Sequence, residues 1–321
     1  MLFGQFAQAA ELETLKPIDS SPEITILSTM VANFSGMGEW GFSALVETAE
    51  EKILFDTGFK QATVFNNAKA LGLDLTDVTS VILTHFHLDH TGGLLELRRR
   101  YREVNPSAFT KVYVGKGFFR QRYVTGGTKA YSLAGNLNPD QFQTPEEFRA
   151  AATALGITFT VLNDAQEIAP GIVLTGPIER IHPEKNVSPG YFLDAATKQI
   201  DYIPESQVLG ILRQDGWLMI SGCGHAGIIN AASALQSIRD VPVTMAIGGF
   251  HLFRASREVL AWTADELKRR GITSLVGAHC TGIPATNHLK QALQLANDKV
   301  SVGAIGTRID TNLNIIRSSI E

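Results

Sequence analysis

Residues 84–93 read Thr-His-Phe-His-Leu-Asp-His-Thr-Gly-Gly, and no other stretch constrains this chain as much. Four side chains able to ligate a metal, His85, His87, Asp89 and His90, fall within six positions. The run follows the apolar Val81-Ile82-Leu83, so it reads as the loop at the end of a buried strand. In an extended chain residues i and i+2 point the same way, so His85 and His87 can grip one cation from one side. Asp89 and His90 lie just beyond, where the chain turns toward a helix beginning near Gly92, and can face a second cation. Imidazole and carboxylate donors suit zinc, and also iron or manganese. An ordinary polar loop is the bland alternative. Three histidines and an aspartate directly after a core strand speak against it.

A chain of 321 residues holds one large α/β domain or two ordinary ones. Its 44% hydrophobic and 19% charged residues are those of a globular protein. A net charge of −4 gives no basic footprint for nucleic acid. No apolar run approaches the roughly 20 residues a membrane helix needs. The expected partner is therefore a small molecule, with homo-oligomerisation left open. Residues 1–10, MLFGQFAQAA, end like a signal-peptide cleavage region but lack a positive start and a full apolar core. This favours the cytoplasm, or the periplasm if the stretch is the remnant of an export signal. Residues 1–20 are set aside as an arm or signal remnant, and 21–321 are read as a single domain.

Within that domain apolar runs alternate with helical spacing. Strands are expected at 24–28, 42–48, 52–56, 81–84, 111–115, 172–175, 207–212, 217–221, 243–248, 274–277 and 301–305. Helices are expected at 61–71, 94–101, 145–155, 228–238, 257–270 and 285–296, with Gly72, Gly156 and Gly271 as C-terminal caps. Two successive groups of strands with intervening helices imply two β-rich layers flanked by helices. Residues 102–160 break the rhythm and read as an insertion lying over a site. Phe118, Phe119 and Tyr123, with Tyr131, Phe142 and the stretch Thr125-Gly126-Gly127-Thr128, either form a substrate lid or pack the insertion down. Arg120, Arg122 and Lys129 either attract an anionic substrate or form a solvated surface.

Three further histidines follow apolar runs and sit among small residues: Gly222-Cys223-Gly224-His225, Gly248-Gly249-Phe250-His251 and Gly277-Ala278-His279-Cys280. Small residues allow close approach of backbone and ligand. In layered α/β folds functional groups gather at one end of the strands, so His225 and His279 are expected metal ligands. His251 can orient substrate, donate a proton or support a ligand. His182 is a reserve ligand in a loop, and His288 belongs to a helix face. The two cysteines, Cys223 and Cys280, can pair with each other or serve in or near a metal site.

The His85-x-His87-x-Asp89-His90 element and the earlier Phe55-Asp56-Thr57-Gly58 resemble the metallo-β-lactamase superfamily over about residues 23–310. Ser-Gly-Cys-Gly-His-Ala-Gly, Gly-Gly-Phe-His-Leu and Ala-His-Cys-Thr-Gly look like the subgroup named after an archaeal dihydropterin ribofuranosyl-aminobenzene phosphate synthase. The resemblance implies an α/β fold, the four-layer αββα sandwich. It implies two divalent metal ions, zinc first, with iron or manganese as alternatives. It places His85, His87 and His225 on the first metal, and Asp89, His90 and His279 on the second. Asp56 takes an organising role by hydrogen bonds. Many members carry a bridging Asp where this chain has Cys223, so Cys223 is a further candidate ligand.

The chemistry expected is hydrolysis of a small-molecule ester, lactone, phosphoester or amide by metal-activated water, with Asp89 and His251 as catalytic groups. A synthase or transferase acting on a pterin-like phosphate is the first alternative, and a non-catalytic binding or sensing protein the second. The subgroup motifs point away from a β-lactamase.

Overall fold

Alternation within strands builds two sheets that share one core. In Val208–Arg213 and Gly216–Ser221 the side chains of Leu209, Ile211, Leu218 and Ile220 face one way, while Val208, Leu212, Trp217 and Met219 face the other. The period of two across a pleated strand gives this directly. The structure is a computed structural model that describes residues 12, 14–124, 144–184, 191–194 and 196–320.

One sheet has eight strands in the order Ile315–Ile316, Arg308–Ile309, Glu23–Ser28, Ser43–Glu47, Lys52–Phe55, Ser80–Leu83, Lys111–Gly115 and Thr158–Leu162. The other has seven, in the order Val300–Ser301, Ser274–Gly277, Val243–Gly248, Gly216–Ser221, Val208–Arg213, Ile172–Leu174 and Gln166–Ala169. Their inner faces meet in a core that includes Ile24, Ile26, Phe55 and Ile82 from the first sheet and Ile211, Ile220, Ile247 and Val276 from the second. Burying each such side chain contributes about 1.5–3 kcal/mol. Helices Thr63–Ala70, Leu94–Tyr101 and Pro145–Ala154 cover the outer face of the eight-stranded sheet. Helices Ile228–Ile238, Arg257–Arg269 and Ile283–Ala292 cover that of the seven-stranded sheet. The result is the expected αββα sandwich. No helix among the described residues is long and apolar enough to cross a membrane.

The stretch 102–160 is less of an insertion than its sequence suggests. Lys111–Gly115 and Thr158–Leu162 extend the eight-stranded sheet in parallel, and helix Pro145–Ala154 packs on it. The run TFTVL at 158–162 is β-branched and aromatic, as a sheet strand requires. Tyr123–Val124 instead joins Tyr191–Asp194 and Gln199–Ile200 in a small three-stranded sheet. Thr125–Thr128, Lys129, Tyr131 and Phe142 lie outside the described residues, as do residues 1–10.

Within each sheet a run of strands is parallel: Lys52–Phe55, Ser80–Leu83 and Lys111–Gly115 in one, and Gly216–Ser221, Val243–Gly248 and Ser274–Gly277 in the other. The loops leaving their carboxyl ends carry Asp56, the 84–93 motif, Cys223, His225, His251 and His279.

Candidate metal centre

The 84–93 loop is organised from behind by Asp56. Its Oδ1 accepts the Thr84 backbone N–H at 2.8 Å, and its Oδ2 accepts the Thr84 hydroxyl at 2.9 Å. The same Oδ2 lies 2.7 Å from His90 Nδ1. Having given its proton to Asp56, the Thr84 hydroxyl is an acceptor for His85 Nδ1 at 3.0 Å. Both imidazoles are thereby held as Nδ1–H tautomers, which leaves each Nε2 unprotonated and able to bind a cation; that of His85 lies 3.1 Å from His87 Nδ1. His90 Nε2 is buried and makes no hydrogen bond. Asp56 itself is fully buried.

The opposite wall comes from the seven-stranded sheet. Gly222 lets the Cys223–His225 loop press against the first one, because a Cβ there would lie 2.3 Å from both Asp56 Oδ2 and Thr84 Oγ1. The Arg180 guanidinium donates to the His225 carbonyl and to that of Tyr202, which pins the loop from outside. Asp56, His251 and His279 all have positive φ, at 52°, 51° and 46°. Such conformations cost of order 1–3 kcal/mol each and persist where the surroundings hold them, typically at functional sites.

Donor atoms converge as a result. His85, His87 and His225 form one group whose ligand atoms lie within 4.8 Å of one another, and Asp89, His90 and His279 form another. The His85 and His225 rings are 4.6 Å apart, and those of His85 and His90 4.3 Å, so the two groups adjoin. Cys223 stands among them, its Sγ 3.8 Å from His279 Nε2 and 3.4 Å from His251 Nδ1.

The electrostatics suit a cation. Burial keeps His85 neutral to well below the usual imidazole range, helped by His90 and His87, and depresses His87 to about 4. Burial opposes ionisation of Asp89, but His90 and the hydrogen bond from His279 outweigh it and hold the carboxyl well below the usual range. Burial also opposes a charge on His279, yet Cys280 and Asp89 push it up to about 10. Its Nε2 lies 3.3 Å from Asp89 Oδ2. A proton on His279 thus stands where positive charge is called for, and a bound cation would displace it. Two tight donor groups, a buried nitrogen that makes no hydrogen bond and histidines kept neutral all fit divalent metal.

Other candidates stand elsewhere. Phe118 is buried and packs edge-on against Phe86 and Phe119, and Phe119 packs on Phe159. Helix Pro145–Ala154 supplies Phe148 to the same cluster, so these two phenylalanines are core rather than substrate contacts. Tyr123 is committed to the small sheet, paired with Phe192. Arg122 is neither exposed nor available to an anionic substrate: it is fully buried between Asp201 and Glu205. His182 turns its Nε2 to Ser233 and Arg270, at 3.1 and 3.0 Å, which removes it as a reserve ligand.

Two contributors escaped the sequence reading. Glu205 accepts the Phe86 backbone N–H at 3.1 Å, between the two leading histidines. Trp40, 45% exposed, sets its ring edge-on to His279 at 5.2 Å and to Phe253 at 5.3 Å, and Phe253 meets His251 at 5.4 Å. An exposed tryptophan in the glycine-rich run Gly36-Met37-Gly38-Glu39-Trp40-Gly41 was the available signal for the latter.

Residues 41–150 match the family model described as the metallo-beta-lactamase superfamily. The chain is 28% identical over 274 residues to the 7,8-dihydropterin-6-methyl-4-(beta-D-ribofuranosyl)-aminobenzene-5'-phosphate synthase of Methanocaldococcus jannaschii, covering 83% of this chain and 88% of that protein. An uncharacterized protein of the same organism is 26% identical over 271 residues, 84% of this chain and 94% of its own length. Among solved structures, Tm1679, described as a metal-dependent hydrolase of the beta-lactamase superfamily, superposes with a TM-score of 0.69 at 24% identity over 90% of this chain and 98% of its own. The metallo-beta-lactamase fold protein YhfI from Bacillus subtilis gives 0.52 at 11% identity, over 90% and 99%.

Proposed function

We propose that this chain is a metal-dependent hydrolase of a small-molecule ester, lactone, phosphoester or amide, a reading supported by the match of residues 41–150 to the metallo-beta-lactamase superfamily model and by the shared fold. The observation that carries this reading is the pair of adjoining donor groups, His85–His87–His225 and Asp89–His90–His279, at the carboxyl ends of strands from both sheets. Each group offers three protein donors, which leaves coordination positions for water and substrate. When bound, divalent cations lower the pKa of a water to about 7 and stabilise developing negative charge. Zinc is the first choice for such donors, with iron and manganese next.

The chain's own residues do the rest. Asp89, ionised and partly exposed, accepts a hydrogen bond from the attacking water and orients it. His251, half-buried beside Cys223, delivers a proton to the leaving group. Asp56 and Thr84 fix the tautomers of His90 and His85. Trp40 and Phe253 line one side of the centre, beside His279 and His251.

The name of the Methanocaldococcus relative favours a second reading, a synthase or transferase on a pterin-like phosphate that uses the same cations as Lewis acids. A panel of an ester, a lactone, a phosphodiester and a β-lactam, run on metal-loaded protein, separates the two. Turnover of the ester, the lactone or the phosphodiester, lost on chelation and restored by metal, supports the hydrolase. Metal-loaded protein that turns over none of them supports the synthase, and protein that binds no cation defeats both.

A further inference from the structure

Cys223 sits where the two halves of the centre meet. Its sulfur shares one group of mutually close donors with His85 and His90, a second with His225 and His251, and a third with His279 and Cys280. His85 and His225 belong to the first triad, His90 and His279 to the second. Neither His251 nor Cys280, the other donors outside the triads, keeps company with two members of each. The Cys223 side chain is 4% exposed, and the buried His90 Nε2, which makes no hydrogen bond, shares a group with it. Gly222, closed in by Asp56 and Thr84, and Gly224, at φ 66° against the Phe250 backbone, fix the loop on either side of this one side chain.

We propose that Cys223 is a bridging thiolate between the two cation positions. This rests on the metal-dependent reading above and deepens it. One sulfur bound at about 2.3 Å to each of two cations spans the separation of about 3.5–4 Å found in two-metal sites. The thiol gives its proton to solvent as the cations bind. A soft sulfur bridge selects a thiophilic pair, zinc, cobalt(II) or iron(II), over magnesium or manganese. Cys280 is the competing ligand, its Sγ 3.0 Å from that of Cys223 and 3.2 Å from the Cys223 carbonyl, but it shares a donor group only with Cys223 and His279 and so reaches a single triad.

The test uses the full chain, stripped with chelator and reloaded with cobalt(II). Metal content is measured by atomic emission, and sulfur ligation by the near-ultraviolet sulfur-to-cobalt charge-transfer absorption. Wild type is expected to bind two equivalents and show the band. Cys223→Ala should bind one fewer and lose the band. Cys223→Asp, which supplies a carboxylate bridge, should regain the second equivalent without the band, and it carries the test if the alanine variant fails to fold. Cys280→Ser should keep both properties. The proposal is overturned if wild type binds cobalt without the band, or if Cys223→Ala keeps two equivalents or the band. A Cys223–Cys280 disulfide in the loaded protein, found by thiol titration in denaturant, overturns it as well. Binding of no cation at all defeats the metal-dependent reading itself, which a missing band alone does not.

Discussion

Asp56 positions the centre without joining it. Replacing it by Ala strands the Thr84 N–H and His90 Nδ1 in a fully buried place. Each stranded group costs about 1–3 kcal/mol, and loss of a carboxylate that orients a ligating histidine typically weakens metal binding about 10–100-fold. Competition against a chelator of known affinity measures the second effect, and denaturant unfolding the first. Unchanged metal affinity in Asp56→Ala would mean that His90 is held by something else. His87 gives a pH dependence of definite sign. Folded, it takes a proton only near pH 4, because burial opposes the charge; unfolded, it does so near 6.5. Between these values the unfolded chain binds more protons, so stability is lost as pH falls from 6.5 toward 4. The denaturation midpoint of metal-free protein should decline across that window, and less steeply in His87→Gln. A wild-type midpoint that stays level would contradict a neutral His87.

At the scale of elements, one buried cation ties the small sheet to the metal loop. Arg122, at the edge of Tyr123–Val124, binds Asp201 at 2.6 Å and also Glu205, which holds the Phe86 N–H between His85 and His87. Arg122→Ala leaves two carboxylates buried and uncompensated, a loss of about 3–5 kcal/mol. Glu205→Ala removes the brace on Phe86 and should weaken metal binding while Asp201 keeps its partner. Equal metal affinity in wild type and Glu205→Ala would show the brace to be idle. Nothing local in the sequence announces this node, since the partners of Arg122 lie 79 and 83 residues away. The same reason explains Phe118 and Phe119: their surroundings are set by Phe148 on a later helix, so aromatics beside a glycine-rich stretch read as a lid. Elements with a long periodic pattern were legible, as helices Leu94–Tyr101 and Ile228–Ile238 show by starting and ending where expected. The two-residue strands Tyr123–Val124 and Gln199–Ile200 were not, because partner register rather than pattern creates them. In the centre, the 84–93 motif was legible because its donors are local. Trp40 was not, since its place beside His279 depends on how the loops of the two sheets meet.

For the whole molecule, the donors divide between the layers. His85, His87, Asp89 and His90 leave the eight-stranded sheet, while Cys223, His225 and His279 leave the seven-stranded one. Each triad takes donors from both sheets, so a cation held by either would fasten one half of the sandwich to the other. A ligand that binds only the folded state stabilises it by about 4.1 kcal/mol at a thousandfold excess over its Kd. Metal removal should therefore lower the thermal midpoint of wild type, and readdition of zinc should restore it. His90→Ala, which loses a donor from the second triad, should start lower and respond less to chelator. The comparison needs metal content measured beside each melting curve. If chelator empties wild type of metal and its midpoint stays where it was, the packed core of Ile24, Phe55, Ile220 and Val276 holds the sheets together unaided, and the centre serves chemistry alone.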